Sequence, residues 1–483
     1  MPLGTVRNLG LEVLDADKIA KIHEASLHLL TKSGMKVGGD RALKLFKDRG
    51  AKVDGDMVWI TEKMLDEALK TTPSELNLYK RDGSPYLSIN KTDHPVFYGT
   101  HADQLEIVDP FTGQVRPFLR ADNKMMCQLA SYLENISFVL SVGMSADVRP
   151  EVQTQITFLD TLRNFDKVIN FSTNDIDSLQ QCIDMAAIVA GGKKNLQDKP
   201  FIFNYCEPIP PRTHPVESTE KLWISAENRI PVVYMPYSMV GGTAPMSYAA
   251  SLAQGNAEFL FGMVLTQLVS PGTCIIYGHM PSILDMKTTV GSYGAYEFHL
   301  GIAAASDLAA YYKVPFYGTA GCSDAKYLDE QGVAEITMEI MSTTLSKANL
   351  IHDVGVMDHC NSVAPETVVL ANDIIEGLKV FARGIEVDDK TLALDLIEKV
   401  GAGGAYVTES HTAKNYRSIF YSSLFSRKMK NPDESEVRGK IRATIKKAME
   451  EHVVPELDKP ILDELAVWER KFMIDDADNK KTH

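Results

Sequence analysis

"PVVYMPYSMVGGTAPMSYAASLAQGNAEFL", residues 231–260, holds one complete copy of the unit from which the fold is built. A short apolar run reads as a buried strand, and two glycines hand it over to a helix. Gly241 and Gly242 at such a junction let backbone amides approach a ligand, or take up dihedrals closed to other residues, and the helix adds a positive N-terminal dipole. Phosphate is the usual guest. The stretch nevertheless lacks both the G-x-x-x-x-G-K-[ST] of a P-loop and the G-x-G-x-x-G of a dinucleotide fold, so phosphate is only one candidate.

Working outward, the same unit recurs. Apolar runs ending in Gly, Ser, Asn, His or Asp lie at "VFYGTH" (96–101), "ISFVLSVGMS" (136–145), "KVINFSTND" (167–175) and "PFIFNYCEP" (200–208). They continue at "PVVYMPYSM" (231–239), "TCIIYGHMP" (273–281), "VPFYGTAGCSD" (314–324) and "NLIHDVGVMD" (349–358). Strands apolar on both faces that alternate with helix-length segments imply parallel βα units, and eight of them suggest a closed (β/α)8 TIM barrel. A doubly wound open sheet is the competing topology.

Before the first run, "ADKIAKIHEASLHLLTKSG", "DRALKLFKDRG" and "TEKMLDEALKTT" show apolar residues at helical spacing, so residues 1–90 read as an N-terminal helical region. The catalytic barrel is expected over 91–405. A C-terminal loop, "GAGGAYVTESHTAKNYRS", and two helices complete it, with 406–483 as the last unit. After the first run, "DPFTG" marks a hairpin turn that would decorate the barrel rim.

With 483 residues, 45% of them hydrophobic, the chain can bury a large core. The net charge of −14 argues against nucleic acid and against an anionic membrane surface, which both ask for clustered Lys and Arg. The first residues carry no basic start followed by an apolar run, and no window approaches a membrane span, so a cytoplasmic protein is expected. The six cysteines are scattered and form no C-x-x-C, which excludes a zinc ribbon by spacing and makes reduced thiols the default.

In barrels the functional groups gather at the C-terminal ends of the strands. Those ends carry His101, Ser145, Asn170, Ser172, Asn204, Glu207, Tyr237, Ser238, Tyr277, His279, Ser323, Asp324, His352 and Asp353. Tyr98, Tyr205, Tyr234, Tyr293 and Tyr317 lie close by in the sequence. Several tyrosines around a mouth with one or two carboxylates suit a quaternary ammonium ion, which has no N–H to donate and is held by ring quadrupoles and charge. Tyr and Phe are also ordinary strand residues, so each is equally a packing residue until a fold places it. His279, His352, His359 and Cys360 offer zinc-ligand types without a zinc spacing, and no G-x-S-x-G nucleophile elbow is present. Lys326 is flanked by Asp324 and Asp329, which would raise rather than depress its pKa and so disfavour a Schiff base.

Four segments, "YGTHADQLEIVDPFTGQVRPFLRAD", "GGTAPMSYAASLAQGNAEFLFGMVLTQLVSPGT", "SDAKYLDEQGVAE" and "GAGGAYVTESHTAKNYR", give the chain a resemblance to the trimethylamine methyltransferase family, in particular to its members without pyrrolysine that act on quaternary amines such as glycine betaine. The resemblance implies a TIM barrel that passes a methyl group from an amine to the Co(I) of a separate corrinoid protein, with cobalamin chemistry supplied by that partner and no metal bound by this chain. It places Gly241, Gly242, Ser323, Asp324, Gly403 and His411 toward the corrinoid. Tyr98, Tyr205, Tyr277 and Glu207 are expected at the ammonium end, with His279 and His352 as polar contacts. A homo-oligomer is expected. Because the chain has only standard residues, a quaternary amine is favoured over trimethylamine: glycine betaine first, with proline betaine, carnitine, γ-butyrobetaine and choline open. The rival readings are a metal-assisted hydrolase or lyase using His279, His352 and Asp324, and a betaine-binding module without turnover.

Overall fold

The computed structural model describes residues 10–90, 95–100, 103–428 and 436–479. All eight apolar runs become strands: β1 Phe97–Thr100, β2 Ile136–Leu140, β3 Val168–Phe171, β4 Ile202–Cys206, β5 Val232–Tyr234, β6 Ile275–Gly278, β7 Phe316–Thr319 and β8 Leu350–Val354. Each pairs in parallel with its sequence neighbours, and β8 closes on β1, giving a closed barrel in chain order. The open sheet is thereby excluded. Every strand is buried along its length save for Tyr205, which accounts for the near-continuous apolar runs.

The outer ring is α1 Arg120–Tyr132, α2 Gln153–Asn164, α3 Ile176–Val189, α4 Val216–Glu227, α5 Tyr248–Val269, α6 Tyr296–Tyr312, α7 Glu330–Leu345 and α8 Pro365–Arg383. Asp175 and Asp329 cap α3 and α7 by accepting from Ser178 and Gly332 amides, as short acidic side chains do at helix starts. Helix α5 is apolar all round because it is covered on both sides, by the barrel inside and by the N-terminal helices Ala16–His28 and Glu62–Thr71 outside. Its glycines set the distance to the barrel: a Cβ on Gly262 would lie 2.2 Å from the Tyr234 ring, and one on Gly255 would lie 2.1 Å from His279 Nε2.

The N-terminal region is not purely helical. Its three helices are joined by short strands Met35–Val37, Lys52–Asp54 and Met57–Trp59, which form a sheet with Thr213–His214 from the loop after β4. Three-residue strands are too short for a period of two to register in the sequence. A hairpin, Leu76–Tyr79 with Pro85–Ile89, caps the N-terminal face of the barrel, where Tyr79 N donates to Pro200 O and Arg81 N donates to Asp166 O, just ahead of β4 and β3.

At the opposite face, the mouth, the "DPFTG" turn closes the hairpin Glu106–Val108 and Val115–Pro117, with Asp109 Oδ1 accepting from Phe111 and Thr112 amides. Strands Ser362–Val363 and Val356–Met357, from the loop after β8, extend that hairpin into a four-stranded rim sheet. The C-terminal helices Glu436–Glu451 and Lys459–Asn479 return to pack on α8 and α1, and on α2 and α3. Arg120 holds the second of them in place through Asp160 and Glu469.

Candidate active site

The mouth is built by strand alternation. On β4 both Phe203 and Tyr205 point inward, on β7 Tyr317 and Thr319, on β8 His352 and on β3 Asn170, since residues two apart share a face. Phe138, Phe203 and Tyr317 form an inner layer with ring centres 5.7–6.2 Å apart. Tyr317 Oη donates to Asn170 Oδ1 at 2.7 Å, and Asn170 Nδ2 donates to Phe203 O at 2.8 Å, so the phenol is fixed. Above this layer His352 meets Tyr317 edge-on at 4.6 Å, and Tyr205 lies 6.0 Å from His352 and 6.1 Å from Tyr317. These three rings face the open end of the barrel.

Acids flank the rings. Tyr205 Oη donates to Glu207 Oε2 at 3.1 Å. His352 sits beside Thr319 in the β7–β8 register, with Nδ1 3.2 Å from Thr319 Oγ1 and 3.3 Å from Asp353 Oδ2. Burial, reinforced by the charge of Glu339, pushes the Asp353 carboxyl up to about 8. Burial likewise raises Asp103, on the loop after β1, to about 7, against a hydrogen bond from Ser172 that works the other way. Both acids hold left-handed dihedrals, φ 77° and 51°, a strain that concentrates at functional sites.

A second ring of hydrogen bonds runs around the rim. Tyr237 Oη donates to Ser282 Oγ at 3.2 Å and is bonded to Tyr293, which in turn is bonded to Cys360. Gln104 Nε2 closes the circuit by donating to Cys360 Sγ at 3.1 Å and to its carbonyl at 3.2 Å. Asp358, His359 and Cys360 are three successive non-glycine residues with positive φ, at 53°, 55° and 73°. The loop after β8 is thus held in strain by contacts from three other loops.

The loops after β6 and β7 are braced from below. Asp324 accepts from Tyr293 N at 2.8 Å and from Ser292 Oγ, and it lies 3.0 Å from His359 Nδ1. Glu335 on α7 accepts from Ser323 Oγ at 2.6 Å and from Asp324 N at 3.0 Å. Deeper still, Glu339 Oε2 accepts the amides of Gly321 and Cys322, both at 2.9 Å. Its other oxygen is 3.0 Å from His299 Nε2, which donates to Tyr293 O at 2.7 Å. Burial opposes charging His299, but Glu339 outweighs it and the imidazole pKa is raised.

The residues expected at the site separate accordingly. Tyr205, Glu207 and His352 come together at the mouth. Tyr98 does not: its hydroxyl donates to Ile340 O at 3.0 Å and meets Thr344 Oγ1 at 2.7 Å, both on α7 outside the barrel. Tyr277 also faces outward, donating to Asn256 Oδ1 on α5 at 3.0 Å. His279 is buried against Gly255 of the same helix, where loss of hydration lowers its pKa to about 3. Ser323 and Asp324 brace loops, and Gly241 and Gly242 form the rim between β5 and α5. Gly403 and His411 lie on the exposed segment that follows α8. His101 lies outside the described residues. Sequence reading missed Asp103, Gln104, His299 and Glu339, whose roles depend on partners far along the chain; Tyr237, Tyr293 and Cys360 were visible as residue types but not as a circuit.

Among the described residues no three His, Cys, Asp or Glu side chains are grouped to hold a metal ion, and His279, His352 and Asp324 in particular face different neighbours. The six cysteines form no disulfide. No helix among the described residues is long and apolar enough to cross a membrane.

A sequence model described as Trimethylamine methyltransferase (MTTB) matches residues 4–473. Glycine betaine methyltransferase of Desulfitobacterium hafniense is 28% identical over 457 residues, covering 93% of this chain and 94% of that protein. Trimethylamine methyltransferase MttB of the same species is 29% identical over 428 residues, covering 88% of this chain and 86% of that protein. Among solved structures, the monomethylamine methyltransferase MtmB of Methanosarcina barkeri superposes with a TM-score of 0.48 at 14% identity, over 93% of this chain and 97% of that one.

Proposed function

Because the chain belongs to the trimethylamine methyltransferase family, we propose that this methyltransferase takes a methyl group from a small quaternary amine, glycine betaine first, and delivers it to the Co(I) of a separate corrinoid protein docked over the barrel mouth. The observation that carries the reading is the group of three rings, Tyr205, Tyr317 and His352, with Glu207 and Asp353 against it. A permanent cation without N–H groups is held by ring faces and by nearby negative charge.

The corrinoid's Co(I), when the partner is docked, supplies the electron pair that attacks the methyl carbon. The work of this chain is orientation. The rings seat the ammonium so that one methyl points out of the barrel, and the C–N electron pair departs with nitrogen as a neutral tertiary amine. No proton has to move. Holding the two reactants in line converts a bimolecular collision into a local step, an effect worth several kcal/mol without any catalytic acid or base.

The rim fits a docked protein. Around the polar mouth Leu105, Phe111, Met246 and Met286 are all more than half exposed, an apolar margin of the kind that marks an interaction surface. The two glycines of the loop after β5 have different grounds. Gly241 has φ 87° and donates to Ala244 O at 2.9 Å, so its turn requires glycine. Gly242 is exposed, and a Cβ there would meet only the flexible Met239 side chain, at 3.2 Å. Its backbone does not require glycine, which leaves clearance for a macrocycle as the reading for that position.

The test is anaerobic. Purified protein is mixed with reduced cob(I)alamin and, one at a time, glycine betaine, proline betaine, carnitine, γ-butyrobetaine, choline and trimethylamine, and the visible spectrum is followed for methylcobalamin. Conversion with a quaternary amine is expected. Conversion with trimethylamine alone, or silence with every amine when a cognate corrinoid protein is supplied, overturns the reading.

A further inference from the structure

We propose that residues 385–421 form an arm that packs on a second copy of this chain, seated in the apolar groove along the outer face of α7. The proposal is independent of the substrate.

From Arg383 to Ser423 no residue is buried. Yet the segment is rich in large apolar side chains that its own protomer leaves in water: Ile385 is 90% exposed, Val407 79%, Val387 71%, and Tyr421, Leu394 and Ile397 are half exposed or more. Nor is it a featureless tail. The Asp388 side chain accepts from Thr391 N at 2.7 Å while Thr391 Oγ1 accepts from Asp388 N at 2.9 Å, a reciprocal cap at a helix start. Lys399 Nζ pairs with Glu409 at 2.7 Å, and Thr412 Oγ1 donates to Tyr406 O at 2.6 Å. The arm is rooted where Ser423 donates to Asp373 Oδ1 of α8 through its amide, at 2.8 Å, and its hydroxyl, at 2.7 Å.

Such a segment cannot hold itself. Its helices have 4, 7 and 6 residues, whereas isolated helices shorter than about 12–15 residues are marginal in water. Local caps and one exposed ion pair offset little of that deficit. A defined arm with unpaired apolar faces is therefore one side of an interface.

The occupant is a second copy for three reasons. The arm needs its surface whenever the chain is folded, and only another copy is present at every such moment. The apolar area on offer is on the order of 1,000 Å², compared with about 800 Å² per partner in a standard stable interface, and permanent interfaces are the more hydrophobic ones. The chain also supplies the receiving surface: a groove of about 940 Å³ lined by Val333, Thr337, Met341 and Leu345 of α7 together with Phe425 and Ile441. Phe425 lies just past the root of the arm. Arm and groove are thus neighbours on one protomer, the arrangement that lets two copies exchange arms about a two-fold axis, each giving one and receiving one.

Light scattering on the full-length protein tests this. The wild type is expected at a multiple of its 53.4 kDa protomer mass at micromolar concentration. Ile385→Asp and Val407→Asp should weaken association roughly tenfold or more, as hot-spot losses do, while the circular dichroism stays unchanged because those side chains are largely exposed within the protomer. Met341→Asp, in the groove, should do the same. Mixing Val407→Asp with Met341→Asp should restore a dimer through the one arm and groove that remain intact. A monomeric wild type, arm variants that keep the wild-type mass, or a mixture that stays monomeric would each overturn the proposal. So would arm variants that keep their mass and lose only methyl transfer to the corrinoid protein, which would assign the arm to that partner.

Discussion

Replacing Tyr205 separates ring from hydroxyl at the centre of the site. Tyr205→Leu removes an aromatic face that stands 6.0 Å from His352 and 6.1 Å from Tyr317, while keeping an apolar side chain in the same position. A ring over a quaternary ammonium contributes about 0.5–1 kcal/mol when exposed and about 2 when desolvated. Tyr205 is partly buried, so a loss of about 1–2 kcal/mol is expected, or roughly 5–30-fold in amine affinity. Tyr205→Phe keeps the ring and loses only the 3.1 Å bond to Glu207, which is open to solvent, so a change within about threefold is expected. The assay is saturation by glycine betaine of anaerobic cob(I)alamin methylation, alongside a thermal melt to separate lost binding from lost fold. Two variants that weaken binding equally would show that the hydroxyl, not the ring, carries recognition. A leucine variant with wild-type affinity would remove the cage altogether.

The acids of the mouth make the protein pH-sensitive. Asp353 and Asp103 titrate near 8 and 7 in the folded chain, against 3.8 when unfolded, so the folded state holds more protons across that window. Their contribution to stability is fully present below the unfolded value and is lost as pH rises through the folded ones. The melting temperature of Asp353→Asn should accordingly fall less than that of the wild type between pH 6 and 8, and identical profiles would contradict the assignment. A bound cation favours the ionised carboxyls, so affinity for tetramethylammonium should tighten from pH 6 to pH 9 with proton release seen by calorimetry in two buffers; pH-independent binding would sink the idea. Glu339→Gln leaves the Gly321 and Cys322 amides on a neutral acceptor and can turn an N–H toward His299, which should cost about 1–3 kcal/mol and several degrees in the melt. An unchanged melt would show the brace to be dispensable. Gly242→Val should melt as the wild type, since Met239 can move aside, yet transfer methyl to cob(I)alamin far more slowly; normal transfer would return Gly242 to a plain loop role.

Residue order alone determined the eight βα units, because parallel strands buried on both faces leave unmistakable apolar runs between helix-length segments, and the "DPFTG" hairpin, because Asp and Gly set that turn through their own local geometry. It also placed Tyr205, Glu207 and His352 at strand ends. What it could not contain was parity. In a strand apolar on both faces the period of two carries no hydrophobic contrast, so nothing local says that Tyr205 and Tyr317 look into the barrel while Tyr98 and Tyr277 look out at α7 and α5. Closure of the barrel decided that. It also brought His299 on α6 to Glu339 on α7, a pair 40 residues apart whose meeting depends on how two neighbouring helices pack. The glycine-rich "GAGG" loop shows the same limit: Gly401 and Gly403 take positive φ, 69° and 79°, as glycines in a turn do, while the exposure of the whole loop follows from how the segment after α8 packs, which only the folded chain expresses.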